Sequence, residues 1–159
     1  LAFPSKNIDE IVSRHELVKA IIKNEPVYLN LAEFLSKIID LERVMAKIST
    51  FKVAPRTLVQ LNSSLNIIPK ILKVLNDSGN KNLKNKASNF PSLNEIINVL
   101  ENTLDPEAPA LISKGNIIAK GVSVELDDLR NLLLTTKSHL DELLNNEIKR
   151  TNISSLKIT

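Results

Sequence analysis

The run Ser123-Val-Glu-Leu-Asp-Asp-Leu-Arg-Asn-Leu-Leu-Leu-Thr-Thr-Lys-Ser-His-Leu-Asp-Glu-Leu-Leu-Asn-Asn-Glu-Ile-Lys-Arg150 decides the fold. Leu126, Leu129, Leu132, Leu133, Leu140, Leu143, Leu144 and Ile148 recur in it at near-heptad intervals, which predicts one long α-helix opened by Ser123. Its seam is Leu126, Leu129, Leu133, Leu140 and Leu144. Glu125, Asp127 and Asp128 fall in the first turn and Lys149 and Arg150 in the last, matching the helix macrodipole at both ends. At 1.5 Å per residue such a helix is roughly 40 Å long, more than the diameter of a globule of this size, so part of it is expected to project as an arm.

Upstream, the same period marks shorter helices. Ile8, Ile11, Val12, Leu17, Val18, Ile21 and Ile22 predict a helix over 7–23, with Asn7 and Glu10 as a capping pair. Pro26 restarts the chain, and Val27, Leu31, Phe34, Leu35 and Ile38 mark a second apolar face that ends near Asp40. Leu41, Val44, Met45 and Ile48 give a short amphipathic helix with Glu42, Arg43 and Lys47 outward. Pro55 and Pro69 sit where a first helical turn tolerates a missing N–H, opening helices at 55–66 and 69–76. Ser92 caps a helix through Leu93, Ile96, Ile97, Val99 and Leu100, broken after Leu104 by Asp105-Pro106-Glu107-Ala108-Pro109. Residues 77–91 combine turn formers with Lys and lack an apolar period, so they read as a mobile surface loop, leaving six short helices before the break. Gly115 and Gly121 bracket Asn116-Ile-Ile-Ala-Lys120, a stretch expected to form a small β-like ribbon. The tail from Ile153 to Thr159 ends with the alternation of a strand, which would need a partner from further sequence.

The expected fold is therefore all-α, a multi-helix bundle with a long projecting helix and a small β-like ribbon. Residues 1–122 form the helical core with the ribbon, and 123–159 the long helix with the start of a strand, in one continuous domain fragment of a longer protein. Composition agrees: 43% of the 159 residues are hydrophobic but only 3% aromatic, with no Trp, which favours packing by aliphatic ridges. With 21 basic and 18 acidic side chains the net charge is +3, which permits proximity to nucleic acid without demanding it. The absence of Cys excludes a disulfide framework, a thiolate metal site and a cysteine nucleophile, and fits a cytoplasmic setting. Leu1 to Lys6 lack a signal pattern, and the apolar runs fall short of the ~18 residues a membrane span needs, so no membrane partner is expected.

Motifs for chemistry are scarce. A phosphate-binding loop needs Gly, four residues, then Gly-Lys-Ser/Thr; Gly115 to Gly121 ends in Lys120-Gly121, the wrong order, with no hydroxyl directly after. His15 and His139, the two imidazoles, each lack a second His or a Cys nearby in sequence, so they read as surface or interface residues rather than metal ligands. Asp9, Glu10, Asp127, Asp128, Asp141 and Glu142 sit at helix starts or on helix faces, where dipole and solvation account for them. Lys81, Lys84 and Lys86 form the densest basic stretch. They are the candidate contacts to DNA phosphates, although a solvated loop is the commoner meaning of such a run with interleaved Asn and no aromatics. No catalytic, cofactor-binding or metal-binding residue is assigned, and the chain is not expected to be an enzyme.

Several phrases in order along nearly the whole chain resemble the middle of MutS proteins. They are Pro4, Asn7, Ile11, Arg14, Glu16 and Val18 at the start; Asp40-Leu-Glu-Arg43 with Ile48, Pro55-Arg56 and Leu58; then Gly115-Asn-Ile-Ile118, Gly121, Glu125-Leu-Asp-Asp-Leu-Arg130 and Thr151-Asn-Ile-Ser-Ser-Leu-Lys-Ile158, the most specific block. Departures are Ser5 for the usual Leu, Ala54 where the family often has a capping Asn, Asn152 for Gly, and a lengthened 77–91 segment. In that family the long helix is a lever between an ATPase domain and a clamp that closes over DNA. The resemblance therefore implies that Ser123 to Arg150 is a lever helix and that the tail enters the clamp. The family's mismatch-reading Phe-x-Glu is absent, since Phe3, Phe34, Phe51 and Phe90 lack Glu two residues on, and so are its nucleotide-binding motifs.

The function implied is that of a core and lever segment in a DNA mismatch repair protein. ATP and Mg are then cofactors of the parent, a DNA-dependent ATPase, and none belongs to this chain. DNA is met through the parent's clamp and mismatch-reading domains; the parent is implied to be a homodimer with downstream repair proteins as partners, cytoplasmic and associated with the bacterial nucleoid. The competing reading is an independent helical adaptor whose leucine seam binds a protein partner.

Overall fold

The structure, a computed structural model, describes residues 4–157. Its elements are α1 (Ile8–Ile22), α2 (Glu25–Ser36), α3 (Leu41–Ser49), α4 (Pro55–Leu65), α5 (Ile68–Asp77), α6 (Lys81–Ser88), α7 (Asn94–Thr103), a 3-10 turn (Ile112–Lys114) and α8 (Val124–Thr151). The fold is all-α, and among the described residues no strand forms. The chain divides after Ile118 into two compact units.

In the first unit, helix starts follow local chemistry. The Asn7 side chain accepts from the N–H groups of Asp9 and Glu10, Asn24 from Val27, Asp40 from Arg43 and Asn80 from Asn82 and Leu83. These side chains satisfy donors that the first turn leaves unpaired. Pro26, Pro55 and Pro69 fall at the first or second position of α2, α4 and α5, where no N–H is needed.

Two aliphatic clusters form the core of this unit. Val44, Leu61, Leu65 and Ile97 bring α3, α4 and α7 together, with Ile39, Ile48, Leu58 and Leu100 packed around them. Val27, Leu31 and Leu83 join α2 to α6, with Leu17 and Ile21 of α1 and Ile71, Val74 and Leu75 of α5 against them. The one buried polar side chain among the described residues is Ser64, 1% exposed. Its hydroxyl donates to the Gln60 carbonyl at 3.0 Å and accepts the Ile39 N–H at 3.2 Å, tying the α2–α3 link to α4.

The segment expected to be a loop, 77–91, folds instead into α6, so seven helices precede the break. Asn80 caps it, and Leu83 and Ala87, four residues apart and buried, seat one face against the core. Two apolar residues in an eight-residue helix are too few to show a period, although they are enough to dock it. The helix expected from a Ser92 cap begins at Asn94, with Leu93 at the cap position; Ser92 Oγ accepts the Asn94 N–H at 3.4 Å. The β-like stretch is realised as a single antiparallel bridge between Leu104 and Ile118, beside a 2.8 Å bond from Asp105 N–H to the Ile117 carbonyl.

α3 ends in an unusual way. The Phe51 N–H donates to the Ile48 carbonyl and the Lys52 N–H to the Lys47 carbonyl, both at 2.9 Å, the bond pair of a Schellman ending. Phe51 therefore occupies the left-handed position, φ 55°, normally given to Gly, at a steric cost of about 1–2 kcal/mol for an L-residue.

In the second unit, Gly121 turns the chain at φ 89°, and its N–H donates to Asp127 Oδ2 at 2.6 Å. Ser123 caps α8 by accepting the Leu126 N–H at 3.3 Å. α8 runs 28 residues to Asn152, whose left-handed conformation closes the helix, a role Asn fills more readily than other non-glycine residues. Asp127 pairs with Arg130 and Glu147 with Arg150, one pair near each end. Residues 153–157 contain a turn and no strand; Ile158 and Thr159, where the expected strand would continue, lie outside the described residues.

Leu83→Ala is expected to lower the unfolding free energy by about 3 kcal/mol, because a side chain only 2% exposed leaves a cavity that two neighbouring helices cannot close. Denaturant unfolding with an unchanged slope measures it, and a loss under about 1 kcal/mol would return 77–91 to the status of a loop. α4 starts from Ala54 with extended backbone and no side-chain cap. Ala54→Asn is therefore expected to stabilise the chain by about 1 kcal/mol, read as a rise in the denaturation midpoint.

Candidate functional site

The leucine seam lies on one helix. Positions 126, 129, 133, 140 and 144 are spaced by three, four, seven and four residues, which keeps them within one stripe of α8. Leu126 and Leu144 are half-buried, whereas Leu129, Leu133 and Leu140 are exposed, Leu133 by 71%. Leu132, Leu134 and Leu143 are exposed beside them, and no residue of α8 is buried. Caps, terminal charges and short-range ion pairs hold this helix rather than a core, and it carries an apolar face able to meet further protein.

The three lysines lie on one helix, and all are exposed. All belong to α6, whose Leu83 and Ala87 define the inward face. Lys81 lies away from that face, and Lys84 on the flank opposite Lys86. Lys86 lies on the flank towards α1, lining a shallow depression with Ser13 and Leu17. There the Glu10 carboxyl is held below its ordinary range by the Ser5 hydroxyl first and by Arg14 next, with Lys86 adding a smaller attraction.

The glycine-bracketed stretch does not suit a nucleotide. The Gly121 N–H, which a phosphate would need, already serves the Asp127 carboxylate, and that fixed negative charge repels phosphate. Among the described residues no group of three or more His, Asp or Glu side chains comes together in a way that could hold a metal ion. His15 stands on α1, and His139 on α8 reaches only Glu142, at 3.9 Å.

Two features escaped the reading by motif. Between Arg43 and Asn94 nine Lys and Arg side chains stand against a single carboxylate, Asp77, so the modest net charge of +3 hides a strongly basic third of the chain. A charge count by segment finds it. Phe51, 96% exposed, falls between Lys47 and Lys52 in this segment; its exposure follows from the α3 ending and has no signature in sequence.

The family profile of MutS domain III matches residues 1–157. Proteins described as DNA mismatch repair protein MutS are similar along the chain. That of Christiangramia forsetii is 37% identical over 158 residues, 99% of this chain and 18% of the relative. That of Thermosipho melanesiensis is 36% identical over 155 residues, 98% of this chain and 19% of the relative. That of Flavobacterium johnsoniae is 37% identical over 159 residues, 100% of this chain and 18% of the relative. The chain thus spans about a fifth of the length of these curated relatives. A profile match over all but the last two residues, on an all-helical chain, means that this chain belongs to the MutS domain III family.

Proposed function

We propose that this chain is the mechanical connector of a DNA mismatch repair protein, with α8 as a lever that couples an ATPase domain to a clamp on mismatched DNA. The observation that carries the proposal is α8 itself: 28 residues, capped at both ends, with no buried residue and an exposed leucine face. At 1.5 Å per residue it spans about 42 Å, and a continuous hydrogen-bonded helix transmits displacement along its axis. The helical core of the first unit, packed from aliphatic side chains, is a stiff base that resists deformation.

In this reading ATP and Mg act in the parent protein outside this chain, and the parent is a DNA-dependent ATPase. DNA is held by the parent's clamp and mismatch-reading domains, two parent chains form a homodimer, and downstream repair proteins act on it. The tail after Asn152 leads into the clamp. Lys81 and Lys84 add a screened attraction to DNA phosphates. The names of the relatives, all mismatch repair proteins, support the repair reading and lend none to an independent adaptor.

In the full-length protein, Leu133→Gly is expected to slow ATP-triggered release of mismatched DNA by roughly two- to thirty-fold, the span of coupling changes of ~0.5–2 kcal/mol. ATP affinity should stay within about twofold, because the substitution, which costs about 1 kcal/mol of helix propensity, acts on stiffness and not on the nucleotide site. Leu133→Ala keeps helix propensity and should leave release near wild type. Stopped-flow anisotropy with labelled mismatched duplex measures all three proteins; wild-type release from Leu133→Gly would refute the lever.

A further inference from the structure

We propose that the corner between the end of α3 and the start of α4 binds single-stranded nucleic acid, with Phe51 stacked on an unpaired base and Arg43, Lys47, Lys52 and Arg56 against the flanking phosphates. Phe51 is 96% exposed and in left-handed backbone. Gly would fill that helix ending without strain and without presenting a bare ring to water, so the fold gains nothing from the Phe it carries. Strain combined with full exposure points to a ring whose favourable contact lies outside the chain.

The surroundings specify that contact. Arg43, Lys47, Lys52 and Arg56 are all exposed, and among the described residues their side chains make no hydrogen bond or ion pair. The Lys52 N–H bond to the Lys47 carbonyl holds these two positions together at the turn that presents Phe51. No carboxylate occurs from Arg43 to Asn76, so Lys47, Lys52 and Arg56 have no acidic residue near them in sequence. An exposed aromatic ring in a cation-rich segment supplies the elements of a stacking platform for single strands, in which the ring takes a base and the cations follow the backbone. A protein anchor would need a surrounding rim that excludes water. The neighbours Ser49, Thr50 and Lys52 are instead polar and exposed. A paired duplex hides its base faces, so an unpaired base is the fitting partner. None of this involves α8, so the proposal stands or falls apart from the lever.

The chain contains no Trp, so Phe51→Trp places a single indole reporter at the corner. The 159-residue chain carrying it is titrated at low salt with an oligothymidylate of about 15 nucleotides, with inorganic polyphosphate and with poly-glutamate. Oligothymidylate should quench the indole with saturation, while polyphosphate binds without quenching because it has no base. By anisotropy, Phe51→Ala should bind the oligonucleotide roughly 5- to 150-fold more weakly, and Lys52→Gln should flatten the salt dependence by about 0.7 in log–log slope. Phe51→Gly should raise the unfolding midpoint while losing the same affinity, which separates lost stacking from lost folding. The proposal is overturned by equal quenching from polyphosphate, by equal or stronger quenching from poly-glutamate, which would make the partner an acidic protein surface, by wild-type affinity in Phe51→Ala, or by no oligonucleotide binding at low salt.

Discussion

Helices of eight to fifteen residues do not persist alone in water, because the entropy of fixing the first turn outweighs what so few hydrogen bonds return. α1 to α7 all fall in that range, so each depends on burying an aliphatic stripe against its neighbours. The packing is done by Val, Leu and Ile in two clusters, one centred on Val44, Leu61, Leu65 and Ile97 and the other on Val27, Leu31 and Leu83. α5, separated from α4 only by Asn66 and Ile67, packs Ile68 on the first cluster and Ile71, Val74 and Leu75 on the second and so links them. Ser64 adds the single buried polar tie among the described residues, and a buried hydroxyl that both donates and accepts costs little.

α8 obeys a different physics. Its length provides enough internal hydrogen bonds to offset nucleation, and its termini are finished by Ser123 and Asn152 and by charges of the right sign. It therefore leaves Leu129, Leu133 and Leu140 uncovered while remaining one helix. A segment that is straight by its own bonding can join two moving bodies without drawing on either for its shape, which is the physical basis for reading it as a connector.

Much of this was legible in the sequence, and the gaps have physical causes. Prolines at 26, 55 and 69 announced helix starts, and Asp40 and Ser123 behaved as caps, because capping is a local matter of one side chain and two N–H groups. α6 was missed because its outward residues are Lys and Asn, and its only apolar positions, Leu83 and Ala87, become meaningful once α2 and α5 are in place to receive them. The ribbon around Ile117 shrank to one bridge, since a single hydrogen-bonded contact to the Leu104 region satisfies that stretch. The lysines at 81, 84 and 86 read as one cluster in sequence and all stay exposed on α6, with Lys86 lining the depression beside α1. Phe51 was invisible because its exposure depends on a positive φ that sequence rules assign to Gly.

The central claim is that α8 stays one stiff rod while the parent protein changes state. The absence of Cys from this chain allows spin labels to be placed at Glu125→Cys and Lys149→Cys, once native cysteines elsewhere in the full-length protein are replaced. Their separation can then be measured by pulsed electron spin resonance, with mismatched DNA bound, in the presence and absence of ATP. The account predicts one narrow distribution centred near 36 Å, the length of 24 helical residues, unchanged by nucleotide. A broad distribution, or a second and shorter distance on adding ATP, would show that the helix bends or melts in the working cycle and would contradict it.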